Sequence, residues 1–109
     1  MNLTKEERNW LDSFVRAIKE RFPDKIERVV VYGSKARGDA SPDSDLDVLV
    51  VLKDQTVPKA DIRLLGYEMS LQTDVVPSIL VYTAQELEQR KENRSVFVEA
   101  VEREGVVIS

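Results

Sequence analysis

The sequence contains no cysteine and no histidine among its 109 residues. The absence of cysteine excludes disulfide bonds, cysteine nucleophiles and thiolate metal sites. The absence of histidine excludes imidazole metal ligands and every catalytic triad that uses histidine as the general base. Any chemistry must therefore come from carboxylates, hydroxyl groups, lysine, arginine and backbone amides.

Long apolar runs and an excess of positive charge are also missing. No window approaches the roughly 18 apolar residues of a transmembrane helix, and the first residues are charged where a signal peptide would be apolar. We therefore expect a cytoplasmic protein that does not associate with membranes. Sixteen Lys and Arg against twenty Asp and Glu give a net charge of −4. Strong nucleic-acid binding is not expected, because it needs positive charge to neutralise phosphates.

The length and composition indicate one domain that covers residues 1–109. The chain is shorter than the roughly 150 residues of a typical domain. Hydrophobic residues make up 42% of it and charged residues 33%. This composition is sufficient for one modest core and disfavours disorder.

The spacing of apolar residues predicts an alternating order of helices and strands. The predicted helices cover about residues 4–21 and 95–104, a single turn at 35–38, and two segments that begin at Pro58 and Thr83. The predicted strands cover residues 26–32, 46–52 and roughly 73–82. This order predicts an α/β or α+β fold with a small mixed β-sheet flanked by helices.

Several local features refine this prediction. The nearly continuous apolar run at 46–52 is typical of a central strand covered on both faces. Pro77 cannot donate to a sheet ladder, so the third strand is expected at an edge or a bulge. Gly66 is expected to weaken the helix that contains it, and Gly105 suits a left-handed position after the last helix. The apolar residues of 96–108 are expected mainly in the core, with some left for a partner or homo-oligomer contact.

The stretch from Gly33 to Asp47 contains the most informative polar residues. Gly33 and Ser34 end a strand and begin a helical turn, where backbone N–H groups and a hydroxyl can bind phosphate oxygens, although an ordinary tight turn has the same residues. Asp45 and Asp47 begin a strand two residues apart, so both point to one face. They either bind a hard divalent cation or simply end a solvated loop.

The two parts of this stretch also constrain each other. Adjacent carboxylates repel, so placing them at the start of a buried strand is a poor choice for stability alone. If both parts face one ligand, the first two strands must be antiparallel neighbours or have these ends close together. The ten residues 35–44 can span that crossing.

The combination of Gly-Ser, ten residues and Asp-x-Asp resembles a known signature. The stretch GSKARGDASPDSDLDVLV at residues 33–50 is similar to that of the polymerase-beta-like nucleotidyltransferase superfamily. The likeness is greatest to its minimal nucleotidyltransferases, and the order of elements resembles that family over nearly all of the chain. The resemblance therefore implies the nucleotidyltransferase fold.

The resemblance also implies roles for individual residues. Gly33 and Ser34 are expected to hold a nucleoside triphosphate, and Asp45 and Asp47 to bind two Mg²⁺ ions. A third carboxylate is expected on the following strand, where Asp74 matches because it opens the third predicted strand. Asp74 would complete the metal site and help to deprotonate the attacking hydroxyl. Other carboxylates near in sequence are Asp54, Asp61 and Glu68.

Two basic residues lie within the same signature. Arg37 matches the minimal form of the family, so it is expected either to contact phosphate or to remain a surface charge. Lys35 could also neutralise phosphate charge, although a solvated surface position is an equally good expectation.

The implied reaction is nucleotidyl transfer. A substrate hydroxyl attacks the α-phosphorus of a nucleoside triphosphate and pyrophosphate leaves, with the metal ions stabilising the entering and leaving oxygens. In the minimal family, the small enzyme is often the antitoxin that transfers AMP from ATP to a tyrosine of a HEPN-domain toxin. A partner chain would then supply the acceptor site that larger relatives have in a second domain.

Three other functions are alternatives to an antitoxin that transfers AMP. An EF-hand fails because Val48 and Asp54 stand where that loop needs glycine and glutamate. A binding antitoxin or interaction module with the same fold is a stronger alternative, as is a nucleotidyltransferase for a small-molecule acceptor. The intact Asp45 and Asp47 favour an enzyme, because a pure binder gains nothing from two uncompensated aspartates.

Overall fold

The computed structural model describes residues 1–41 and 43–109, so Pro42 of the signature stretch lies outside the described residues. The helices are α1 (Lys5–Arg21), α2 (Gly33–Arg37), α3 (Lys59–Ser70), α4 (Ala84–Glu92) and α5 (Val96–Glu104). The strands are β1 (Ile26–Tyr32), β2 (Leu46–Leu52), β3 (Pro77–Thr83) and β4 (Val106–Val107). No helix in the described ranges is long and apolar enough to cross a membrane.

The four strands form one mixed sheet in the order β3-β2-β1-β4. Strand β2 runs parallel to β3 and antiparallel to β1, which is also antiparallel to β4. The predicted fold class is therefore confirmed, as is the central position of β2. Of the two arrangements that the sequence left open for the first two strands, the structure has antiparallel neighbours.

Helices cover both faces of the sheet, because side chains alternate between its faces along each strand. Helices α1 and α3 pack on one face, and α4 and α5 pack on the other. The first face contributes buried Val29, Val31, Leu46, Val48, Val50 and Leu52, and the second contributes Val30, Leu49 and Val51. Strand β2 is buried on both sides for this reason.

The start of β3 and the end of the chain differ from the sequence prediction. Strand β3 begins at Pro77, four residues later than predicted, and it is an edge strand as Pro77 requires. The residues after α5 add β4, which the sequence did not predict because two residues carry no periodic signal. Gly105 has a φ of −69°, so the expected left-handed position is wrong. A Cβ at Gly105 would lie 2.7 Å from Val30 Cγ1, so close packing explains this glycine.

Gly66 joins α3 to α1 and is not simply a weak point of its helix. The Trp10 indole donates to the Gly66 carbonyl at 3.2 Å, and the Trp10 and Phe14 rings stack with centroids 5.0 Å apart. A Cβ on Gly66 would lie 2.9 Å from Phe14 Cε1 and would overlap Ile79 Cδ1. Only glycine allows α3 to approach this closely.

The replacement Gly66→Ala is expected to lower the free energy of unfolding by about 1–3 kcal/mol, because it overpacks this contact. In an unconstrained helix the same change would stabilise by roughly 0.5–1 kcal/mol. Urea unfolding of the purified chain measures the difference. Ala60 is exposed in the same helix, so Ala60→Gly measures how much an alanine-to-glycine change costs there through helix propensity alone. A gain in stability for Gly66→Ala that mirrors the loss for Ala60→Gly would show that packing does not require glycine here.

Candidate active site

The end of β1 and the start of β2 meet at one end of the sheet. Tyr32 pairs with Asp47 across the antiparallel ladder, so Gly33 begins α2 directly beside Asp47. On the other side of β2, Asp47 is level with Ser78 of β3. The Gly-Ser turn therefore lies beside Asp47 of the Asp-x-Asp pair, an arrangement that a ligand shared by both parts requires.

Gly33 allows this close approach. Its φ is +73°, a left-handed conformation that side chains disfavour. A Cβ at Gly33 would overlap Asp47 Oδ2 and lie 3.2 Å from Asp47 Cγ. The turn ends at Gly38, whose φ is +84° and whose N–H donates to the Ser34 carbonyl at 2.9 Å. The α2 turn is therefore held between two glycines in left-handed conformations.

The two aspartates form a negative site that has no ion-pair partner among the described residues. Asp45 is exposed and Asp47 is half-buried. Burial raises the pKa of Asp47, the charge of Asp45 raises it further, and Arg37 partly opposes both effects. Within residues 1–41 and 43–109, neither carboxylate forms a salt bridge. Such a pair is suited to a bound cation.

Tyr32 ends β1 directly before the turn and packs against α5. Burial and the nearby Asp47 carboxylate raise the pKa of Tyr32 to about 12, so its hydroxyl stays protonated at neutral pH. Its ring meets Phe97 of α5 edge-on, with centroids 5.4 Å apart. Tyr32 therefore shapes the site and is not suited to act as a base.

The two basic residues of the turn point in different directions. Arg37 is exposed, and its guanidinium donates to Asp39 at 3.1 Å and to Glu104 at 3.2 Å. Its role in phosphate binding stays a prediction. Lys35 is buried and forms an ion pair with Glu7 at 3.0 Å. The surface position expected for Lys35 is therefore wrong, because its side chain points toward α1.

Asp74 lies three residues before β3 and to the side of the aspartate pair. Its N–H donates to Glu6 at 3.2 Å, and it lines an open cavity of about 510 Å³ together with Asp43 and Ser44. The Leu46 N–H donates to the Val76 carbonyl, so Val76 and not Asp74 borders the start of β2. Among the described residues, no three carboxylates are grouped closely enough to hold a metal ion. The role of Asp74 as third carboxylate stays a prediction.

The alternative third carboxylates lie elsewhere. Asp54 follows the far end of β2, where hydrogen bonds from Thr56 and Lys25 lower its pKa to about 2. Asp61 and Glu68 are exposed on α3. Sequence reasoning missed Val76 and Ser78 as neighbours of the pair, because no local signal sets the register between β2 and β3.

Comparison with known proteins identifies the family. Residues 11–104 match the family model described as "Nucleotidyltransferase domain". The chain belongs to this family. The nucleotidyltransferase resemblance and the prediction of a nucleotidyltransferase enzyme are therefore confirmed.

Relatives of this nucleotidyltransferase agree with the assignment. A Methanocaldococcus jannaschii protein, provisionally named a protein adenylyltransferase, is 30% identical over 100 residues, which are 90% of this chain and 94% of that one. A provisionally named nucleotidyltransferase from Sulfolobus solfataricus has a crystal structure with a TM-score of 0.60 and 22% identity, covering 98% of this chain and 89% of the other. A crystal structure described as a toxin–antitoxin with AMP-PNP has a TM-score of 0.64 and 19% identity, covering 97% and 73%. The two structures share the fold of this nucleotidyltransferase.

Proposed function

We propose that this nucleotidyltransferase transfers AMP from ATP to a tyrosine hydroxyl of a HEPN-domain toxin and so acts as an antitoxin. The observation that carries the proposal is the contact of the Gly33 turn with Asp47, beside the second unpaired carboxylate, Asp45. The name of the Methanocaldococcus jannaschii relative supports protein adenylylation. The fold shared with a toxin–antitoxin structure that contains AMP-PNP supports ATP as the donor and a toxin as the partner.

The α2 turn is suited to the triphosphate. Gly33 has no side chain, so phosphate oxygens can approach its backbone closely. Ser34 adds a hydroxyl at the next position. The exposed Arg37 would supply positive charge at the end of the turn if it exchanged Asp39 and Glu104 for phosphate oxygens. The triphosphate would thus be held within reach of Asp45 and Asp47.

Asp45 and Asp47 fit two Mg²⁺ ions. They offer carboxylate oxygens, the ligands that Mg²⁺ prefers, at the start of β2, where Asp45 directly precedes the strand and Asp47 is its second residue. Their repulsion and the burial of Asp47 would be relieved by a cation, since no protein cation forms an ion pair with either among the described residues. When bound, Mg²⁺ would neutralise charge on the phosphates and on the entering and leaving oxygens.

The chemical step is a substitution at phosphorus. The tyrosine oxygen forms a bond to the α-phosphorus, the bond from that phosphorus to the bridging oxygen breaks, and pyrophosphate leaves. The hydroxyl proton passes to a carboxylate, and we propose Asp74 for this role. Asp74 lies in the open cavity beside the start of β2, and hydrogen bonds to a reacting group often tighten only when substrate is bound.

The replacement Asp74→Asn is expected to lower kcat by about 10²-fold or more, the usual contribution of a general base. Rates of AMP transfer at saturating ATP measure this. Asp61→Asn is the matched control, because Asp61 is an exposed carboxylate on α3. If both variants keep the wild-type rate, Asp74 is not the third carboxylate.

Intact mass spectrometry tests the proposed function. The purified chain is incubated with ATP, Mg²⁺ and the product of the neighbouring gene, which the proposal expects to be a HEPN-domain toxin, and the intact mass of each protein is measured. We expect a Mg²⁺-dependent gain of AMP on the partner, and loss of this gain when the acceptor tyrosine is replaced by phenylalanine. A stable complex that inhibits the toxin without any mass gain would instead identify a binding antitoxin. Transfer only to a small molecule would contradict the proposed acceptor.

A further inference from the structure

One side chain of the α2 turn is buried in an ion pair. Lys35 is 6% exposed and Glu7 of α1 is 7% exposed. Lys35 Nζ lies 3.0 Å from Glu7 Oε2 and 3.3 Å from Oε1. We infer that this pair is a positioning element, which holds the α2 turn in the geometry that binds the triphosphate. The inference rests on the proposed role of the turn.

Glu7 connects the turn to the rigid start of α1. It is the third residue of α1, and its Oε1 also accepts the Thr4 N–H at 2.9 Å while the Thr4 hydroxyl accepts the Glu7 N–H. This reciprocal capping box fixes the first turn of the helix and therefore the carboxylate of Glu7. Lys35 is thus anchored to a group that is itself held in place.

Asn2 holds the same turn at two further points. Its N–H donates to the Lys35 carbonyl at 3.0 Å, and its side-chain amide donates to the Gly38 carbonyl at 3.3 Å. Helix α2 has only five residues and is bounded by two glycines in left-handed conformations. A helix this short is not stable by itself. Its position must therefore come from such tertiary contacts.

Stability alone is a weak reason for this pair. Burying two charges is costly, and an apolar pair of similar volume is often equally stable or more so. A buried ion pair can instead select one arrangement over its alternatives, and here the arrangement is that of α2 against α1. The pair also neutralises Lys35, so we expect no direct contribution of its charge to phosphate binding.

Lys35 either positions the α2 turn through Glu7 or acts on phosphate directly through its charge. These two roles predict opposite effects of Glu7→Gln on nucleotide affinity. Glutamine keeps the size of the side chain and can keep the capping box, but it removes the charge that holds Lys35. We expect the Kd for AMP-PNP with Mg²⁺, measured by calorimetry, to rise about tenfold, equivalent to roughly 1.4 kcal/mol. We also expect KM for ATP to rise while kcat at saturating ATP stays near the wild-type value. If Lys35 instead acted on phosphate directly, freeing its charge would tighten binding and overturn the inference.

Glu86→Gln is a closely matched control. Glu86 is the third residue of α4, forms the same capping box with Thr83, and pairs with Lys59 at 2.7 Å. It lies at the opposite end of the sheet from Asp47, because Thr83 is level with Leu52. This variant should leave nucleotide affinity unchanged. If neither variant shifts the Kd while both lower Tm, both pairs are only structural and the inference is wrong.

A double variant tests the inference if Glu7→Gln does not fold, and hydrogen exchange tests it if the chain does not bind nucleotide. If Glu7→Gln does not fold, the double variant Lys35→Met with Glu7→Gln removes the unpaired buried charge, and it should fold yet bind AMP-PNP more weakly. In the nucleotide-free protein, hydrogen exchange should accelerate at the Gly38 and Asp39 amides, which both donate to Ser34, and not in β2. Unchanged exchange would contradict the inference. If the wild type does not bind AMP-PNP, the proposed function fails, while the exchange experiment still decides whether the pair positions the turn.

Discussion

The replacement Asp47→Asn is expected to lower the rate of AMP transfer by at least about 10³-fold, or roughly 4 kcal/mol of transition-state stabilisation. Asparagine keeps the size of the side chain and one oxygen but lacks the negative charge that binds a divalent cation. Discontinuous assays of AMP incorporation measure the rate. Calorimetric titration with Mg²⁺ and AMP-PNP should show weaker binding in the same variant.

The same replacement should not destabilise the fold. Burial and the neighbouring Asp45 both disfavour the charged form of Asp47 in the folded chain, as its raised pKa indicates. Removing the charge therefore relieves repulsion, and the Tm of Asp47→Asn should equal or exceed that of the wild type at neutral pH. Loss of activity can then not be attributed to unfolding.

Asp12→Asn is the control for this experiment, since Asp12 is an exposed aspartate on the outer side of α1. It should keep both the wild-type activity and the wild-type Tm. Full activity of Asp47→Asn would overturn the assignment of Asp47 as a metal ligand. A large loss of Tm in that variant would show that its carboxylate stabilises the fold, against the electrostatic argument.

The replacement Gly33→Ala is expected to impair both activity and stability. An alanine held at a φ of +73° costs about 1–2 kcal/mol. Its Cβ would also overlap Asp47 Oδ2, so either the turn or the carboxylate must move. A shift of about 1 Å at a reacting centre can lower the rate by roughly 10²-fold. Urea unfolding and the transfer assay measure the two effects separately.

Gly38→Ala separates backbone strain from contact with the carboxylate. Gly38 has a φ of +84°, but among the described residues a Cβ there would meet only the Asn2 side chain, at 3.4 Å. We expect a loss of stability similar to that of Gly33→Ala and a loss of activity at least about tenfold smaller. Equal losses of activity would mean that the overlap with Asp47 is unimportant.

Local signals in the sequence correctly predict those features of the fold that depend on residues close together in the chain. The capping boxes that begin at Thr4 and Thr83 correctly predict the starts of α1 and α4. The apolar run of β2 correctly predicts a buried central strand, because burial on both faces leaves no polar alternation. The ten residues between Ser34 and Asp45 also permit the ends of two antiparallel neighbours to meet, as they do here.

Contacts between distant residues were not predictable in the same way. Lys35 and Glu7 are 28 positions apart, and Gly66 and Trp10 are 56 apart. Lys35, Glu7 and Gly66 each have an ordinary local interpretation, as a surface lysine, a capping glutamate and a helix-weakening glycine. Only the packing of α1 against α2 and α3 shows that the lysine is buried and that the glycine is required.

The sequence by itself determined the fold class, the family and the candidate pair Asp45 and Asp47, because periodicity, capping and motif spacing are properties of short segments. The tertiary structure alone decided which side chains surround that pair. The register of β2 with β3 places Val76 and Ser78 beside the pair and Asp74 to one side. No short segment encodes a register between strands whose paired residues are 31 positions apart. The ion pair between Lys35 and Glu7 was not predictable for the same reason, because its two charges meet only when α1 and α2 pack together.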